Sequence, residues 1–190
     1  MAQGMYHYIK QAWKKPDKST LRERMIEWRK SLAIEKVDKP LRLDRARNLG
    51  YKDKKGFVVA RVRVVRGGHK RPRPNKGRRS KRLHTRKNLK MNYKWIAEQR
   101  AGRKFKEFEV LNSYNIGKDG KHYFYEVIMI NPNEKGISKN KDTKWVSKSG
   151  NKGRVFRGLT SSAKKSRGLR NKSRELKVRP SIRARKRRGK

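Results

Sequence analysis

The chain has 190 residues, of which 59 are Lys or Arg and 15 are Asp or Glu, giving a formal net charge of +44. Only 32% is apolar and there is no cysteine, which excludes disulfides, thiolate metal sites and cysteine catalysis. No apolar run exceeds the four residues of Val127–Ile130 and residues 1–15 hold no signal-peptide core, so neither a membrane span nor a secretory leader is expected.

In chain order, residues 1–40 read as helical. Tyr6, Ile9 and Trp13 share one face of a short helix that ends before Pro16. Thr20 followed by Glu23 has the form of a capping box, and Leu21, Met25, Trp28 and Leu32 repeat at the spacing of a core-facing stripe. Pro40 closes the segment, and residues 41–49 form a further short helix stopped by Gly50.

Over residues 56–65 the period changes: Val58, Ala60, Val62 and Val64 alternate with Arg61 and Arg63, a strand with one buried and one charged face. It runs into a stretch from Arg66 to Arg82 with nine basic residues, interrupted by Gly67, Gly68, Pro72 and Pro74. That composition precludes a helix or inner strand and predicts disorder in the free segment. Asn92 is a cap candidate for a helix to Arg103. Residues 108–114 and 123–130, rich in aromatic and β-branched side chains, form a hairpin about the turn residues Gly117 to Gly120. Asn131-Pro132-Asn133 ends it, and residues 142–146 add a helical turn. A glycine-punctuated basic loop over 151–160, a helical stretch over 160–169 and a basic tail from Arg179 complete the chain.

These elements predict an α+β fold: a small antiparallel sheet with helices packed on one face, plus extended basic loops and N- and C-terminal extensions. The divisions are a helical N-terminal extension (1–40), an α+β core (41–147) carrying an extended basic loop (66–90), and a basic C-terminal extension (148–190). Charge follows the divisions. Residues 61–90 hold 14 basic residues and no acid, and residues 148–190 hold 18 with one acid, Glu175. Those two segments are expected to need an anionic partner to take shape, whereas the acid-bearing, aromatic remainder folds alone.

Catalytic groups are scarce. His7, His69, His84 and His122 form no pair at metal-ligating spacing, and Glu107 and Glu109 read as exposed edge charges. Gly67-Gly68 follows a strand but lacks the glycine–lysine–hydroxyl triplet of a phosphate loop. Neutralisation by nucleic acid is the common sink for charge of this size. Arg-rich extended segments, without the stacked aromatics of a single-strand-reading sheet, favour recognition of RNA shape and phosphates. A DNA-architectural protein accounts for the charge alone and would show a groove-reading helix or apolar wedges. An RNA-processing enzyme would need a carboxylate or histidine cluster.

Several blocks are longer than composition explains: residues 40–51 (Pro-Leu-Arg-Leu-Asp-Arg-Ala-Arg-Asn-Leu-Gly-Tyr), Arg66-Gly-Gly, residues 73–82, Trp95-Ile-Ala-Glu98, residues 109–114 and residues 153–161. With the opening Met5-Tyr-His-Tyr-Ile9 and Trp13, they closely resemble large-subunit ribosomal protein fifteen of the archaeal and eukaryotic type, over about residues 1–170. The resemblance implies a non-enzymatic structural constituent of the large ribosomal subunit, located in cytoplasmic ribosomes. Its implied partners are large-subunit ribosomal RNA and neighbouring ribosomal proteins, with no membrane, small-molecule substrate, cofactor or metal and no homo-oligomer. The expected RNA-facing residues are Arg42, Arg45, Arg47, Arg66, Lys70, Arg71, Arg73, Lys76, Arg78, Arg79, Lys81, Arg82, Arg154, Arg157, Lys164, Lys165, Arg167 and Arg170, joined by Arg61 and Arg63 on the charged strand face.

Replacing Arg78, Arg79, Lys81 and Arg82 together with Ala is expected to weaken RNA binding. The slope of log affinity against log salt should fall by about 0.7 to 0.9 for each phosphate that the protein no longer neutralises. An unchanged slope in a filter-binding titration would place those side chains off the RNA.

Overall fold

The computed structural model describes residues 3–68, 89 and 91–170. Its elements are α1 (Met5–Lys14), α2 (Lys18–Lys30), β1 (Ile34–Val37), α3 (Leu43–Asn48), β2 (Phe57–Val65), α4 (Tyr93–Lys104), β3 (Glu109–Lys118), β4 (His122–Ile130), α5 (Lys135–Lys139) and α6 (Ser161–Ser166). The four strands form one sheet in the order β1-β2-β4-β3, antiparallel at every step. The α+β class read from the sequence is the one found.

The helices, however, cover both faces of the sheet. On one face Ala97 and Ala101 of α4 meet Ala60, Val62, Val64, Tyr125, Val127 and Met129. On the other, Trp28 of α2 and Ala46 of α3 meet Val59, Tyr114, Ile116, Phe124 and Ile128. This is why β4 is buried without interruption from Phe124 to Ile130: a strand covered on both sides has no need of a polar face. It also changes the surroundings of Arg61 and Arg63, which lie half-buried beneath α2 instead of on an open charged face. Arg61 pairs with Glu35 at 2.8 Å and its guanidinium lies 5.6 Å from the Trp28 ring centre. Arg63 donates to the backbone carbonyls of Trp28, at 3.4 Å, and Arg29.

Three local readings are corrected. The cap of α2 is Asp17, not Thr20; its carboxylate accepts the Thr20 N–H at 2.8 Å and the Ser19 and Thr20 hydroxyls at 2.5 and 2.8 Å, so the helix starts at Lys18. Residues 34–37, read as the end of a helical segment, form edge strand β1. Glu35 stands directly opposite Arg61, and this cross-strand ion pair adds to the pairing of the two strands. The chain turns into β1 just after α2, and so Leu32, the last member of the stripe, is left 70% exposed. Finally, Gly117 lies within β3, not in the hairpin turn, next to a register shift at Asn115/Gly117. A Cβ there would sit 3.2 Å from the Trp28 ring, so the glycine makes room for the tryptophan. The turn itself is fixed by Asp119, which accepts the N–H of Lys121 at 2.8 Å and of His122 at 2.5 Å.

The C-terminal basic segment is also docked more firmly than its composition implies. Val155, Thr160 and Ala163 are buried, Val155 within the α4-side core, so residues 148–170 pack on the sheet domain.

Trp28 anchors α2 with 3% exposure and a ring centre 5.2 Å from that of Phe124. Trp28→Ala is expected to cost about 3–5 kcal/mol of unfolding free energy, measured by urea denaturation. A loss under about 1 kcal/mol would mean that α2 contributes little to the core.

Candidate nucleic-acid interface

The described candidate residues fall in three places. The first is α3. This short helix turns Asp44 and Ala46 inward and leaves Arg45 and Arg47 exposed, and it stops where Gly50 adopts φ +98°. Arg42 precedes it, 5.0 Å from the Trp13 ring centre and 3.4 Å from Asp44. Arg47 lies 5.7 Å from the ring centre of Tyr6 and donates to its hydroxyl. The aromatic face of α1 therefore rests on Arg42 and Arg47, before and within α3, and no residue of α1 is itself buried.

The second place is the exit of β2. Arg66 lies 5.3 Å from the ring centre of Tyr123 and donates to the Asp119 carbonyl at 2.9 Å. The Tyr93 hydroxyl accepts the Gly67 N–H at 2.8 Å and donates to the Gly67 carbonyl at 3.2 Å. These bonds set the direction in which the chain leaves the sheet. Lys70, Arg71, Arg73, Lys76, Arg78, Arg79, Lys81 and Arg82 follow and lie outside the described residues.

The third is the C-terminal segment, which carboxylates fasten to the sheet. Glu98 on α4, fully buried, accepts the Ser113 hydroxyl of β3 at 2.5 Å and the Thr160 hydroxyl at 2.6 Å. Thr160 in turn caps α6. Glu109, half-buried, accepts the Gly153 N–H at 2.7 Å, which replaces the exposed edge charge read from the sequence. Asn92 bonds Ser162 and Ser166, joining the start of α4 to α6. Arg154 donates to the carbonyls of Val110 at 2.7 Å and Leu111 at 3.1 Å, where a register shift interrupts the free edge of β3. Its guanidinium is 4.9 Å from the Trp145 ring centre, and burial pushes its pKa down. Arg154 thus serves the packing of the segment. Arg157 donates to the carbonyls of Gly150 and Lys152 but stays exposed, as do Lys165 and Arg170. Lys164 is half-buried, and Arg167 donates to the Gly158 carbonyl at 3.0 Å.

The fold also supplies a cation that the motif blocks did not mark. Lys94, half-buried near the start of α4, has its pKa pushed down by burial; Glu98 opposes that shift, while Arg45 and Lys165 reinforce it by repulsion. Arg45, Lys94 and Lys165 come from α3, α4 and α6, helices far apart in sequence. Helices α3 and α6 both pack against β3, and α6 also against α4, so tertiary packing alone brings Arg45 and Lys165 within electrostatic range of Lys94, and no local sequence signal could have grouped them. Among the described residues, Lys and Arg form ion pairs at Arg29–Asp119, Arg42–Asp44, Lys52–Asp142 and Arg61–Glu35.

Fold and charge together define the class: a strongly cationic α+β protein with its sheet between two helical layers and carboxylates fastening its basic segments. Within that class, the model of the family described as Ribosomal L15 matches residues 4–185. The chain belongs to this family, in its archaeal and eukaryotic form, whose members are structural constituents of the large ribosomal subunit.

Burial dominates the pKa of Glu98 and raises it, against the bonds from Ser113 and Thr160. A carboxyl whose pKa is higher folded than unfolded binds more protons in the native state, so its contribution to stability falls as pH rises above the unfolded value and levels off above the folded one. The unfolding free energy of wild type minus that of Glu98→Gln is therefore expected to decrease as pH is raised from about 4 to 7. Denaturant titrations at several pH values check this, and a difference that is flat or grows with pH would contradict it.

Proposed function

We propose that this chain binds and stabilises large-subunit ribosomal RNA through its basic loop and C-terminal segment, as a single copy beside neighbouring ribosomal proteins in cytoplasmic ribosomes and without catalysis. The observation that carries the reading is uncompensated charge. The acids nearest the candidate residues are spent inside the protein, with Glu98, Glu126 and Asp44 buried and Glu109 bonded to Gly153. Arg45, Arg47, Arg157, Lys165 and Arg170 meanwhile stay exposed. Lys94 is repelled by Arg45 and Lys165, and phosphates would relieve that repulsion. Arginines, with their planar fork, suit bidentate phosphate contacts in such a setting.

Sucrose-gradient fractionation of cell extract tests the reading. The chain is expected to sediment with the large subunit in stoichiometric amount and to remain there through moderate salt washes. Recovery as free protein or bound to DNA would overturn it.

A further inference from the structure

Phe156 is the one aromatic residue between Lys148 and Lys190, and it is left 46% exposed. The fold holds it outward. Its neighbours are fastened inward: Val155 is 1% exposed in the core, Arg154 is clamped to the β3 edge, and Arg157 donates to the carbonyls of Gly150 at 2.5 Å and Lys152 at 2.9 Å. The Phe156 N–H donates to the Gly153 carbonyl at 3.1 Å, closing a turn that begins with φ +64° at Gly153. One edge of the ring rests on α4 at Gly102, where a Cβ would come within 3.4 Å of Phe156 Cζ and 3.2 Å of Val155 Cγ1. The Arg103 guanidinium lies 5.9 Å from the ring centre, and the exposed Lys152 and Arg157 belong to the same loop.

We propose that Phe156 is a stacking platform for one unpaired nucleobase of the RNA that this chain binds, which rests on the RNA-binding reading above. Proteins hold splayed RNA bases on aromatic and guanidinium planes while nearby cations take the flanking phosphates. Here the turn at Gly153 sets where the ring leaves the loop, Arg103 lies over it, and Lys152 and Arg157 sit in the same loop. An apolar protein partner would have to bury that unpaired charge, which interface cores disfavour. A nucleotide brings the neutralising phosphate with it.

The test measures affinity of the full chain for large-subunit ribosomal RNA across a range of salt. Phe156→Ala is expected to lose about 5- to 100-fold in affinity with an unchanged salt slope, because the substitution removes stacking and leaves the phosphate-binding cations in place. Phe156→Tyr should bind as wild type, and Phe156→Leu, which keeps apolar bulk without a π face, should fall close to the Ala variant. Wild-type affinity in Phe156→Ala or in Phe156→Leu would overturn the stacking role while salt-dependent binding of the wild type upheld the RNA reading. Absence of binding by the wild type would overturn both.

Discussion

With 15 carboxylates for 59 lysines and arginines, where each carboxylate is spent decides what the rest of the chain can do. The structure spends several of them as internal joints. Glu126, fully buried on β4, accepts the Leu41 N–H at 3.1 Å and the Tyr114 hydroxyl, tying the start of the α3 segment to two strands. Glu98 ties α4, β3 and the cap of α6 together, and Glu109 holds the loop at Gly153. Burying a carboxylate costs several kcal/mol, of the order offset only by close partners. Hydrogen bonds supply those partners here, with Lys94 and Arg154 near Glu98 and Arg61 near Glu126 adding favourable charge. Burial and the neighbouring Glu126 together push the Tyr114 phenol far up, so it stays a donor.

The consequence is directional. Each joint holds a cation-bearing segment to the sheet, so Arg45 and Arg47 of α3 and Arg157 and Arg170 within 148–170 are displayed from packed backbone. The same use of acids leaves few to shield the surface. Lys94 is then left near two like charges, Arg45 and Lys165, a repulsion that the phosphates of the proposed RNA partner would relieve. The proposed function is then the complement of folding: acids inside make the shape, and exposed bases are left for a polyanion.

Much of this was legible in the sequence, and the exceptions have physical causes. Period and turn chemistry gave α1, β2, the β3–β4 hairpin and the Asn92 cap of α4. Strand β1 was missed because Ile34-Glu35-Lys36-Val37 is too short to show its period and is held by pairing with β2 across the sheet, a long-range contact. The second helical layer was missed because Arg61 and Arg63 look like a solvent face, although their charges are met by Glu35 and by backbone carbonyls under α2. Composition likewise misjudged residues 148–170, since the contacts that hold Val155 and Ala163 in place come from α4 and β3 and are long-range. The motif blocks located the basic segments but not the grouping of Lys94 with Arg45 and Lys165, which exists only in three dimensions.

The most direct measurement is hydrogen exchange of the full chain with and without large-subunit ribosomal RNA. Within 148–170, the amides of Leu159, Lys164, Arg167 and Leu169 donate to backbone carbonyls of the same segment, and the joints at Glu98 and Glu109 hold that segment on the sheet. They are predicted to exchange far more slowly than an unstructured chain before any RNA is added. Exchange at unprotected rates in the free protein, slowed only by RNA, would show that the acids do not fasten the segment and would contradict the account.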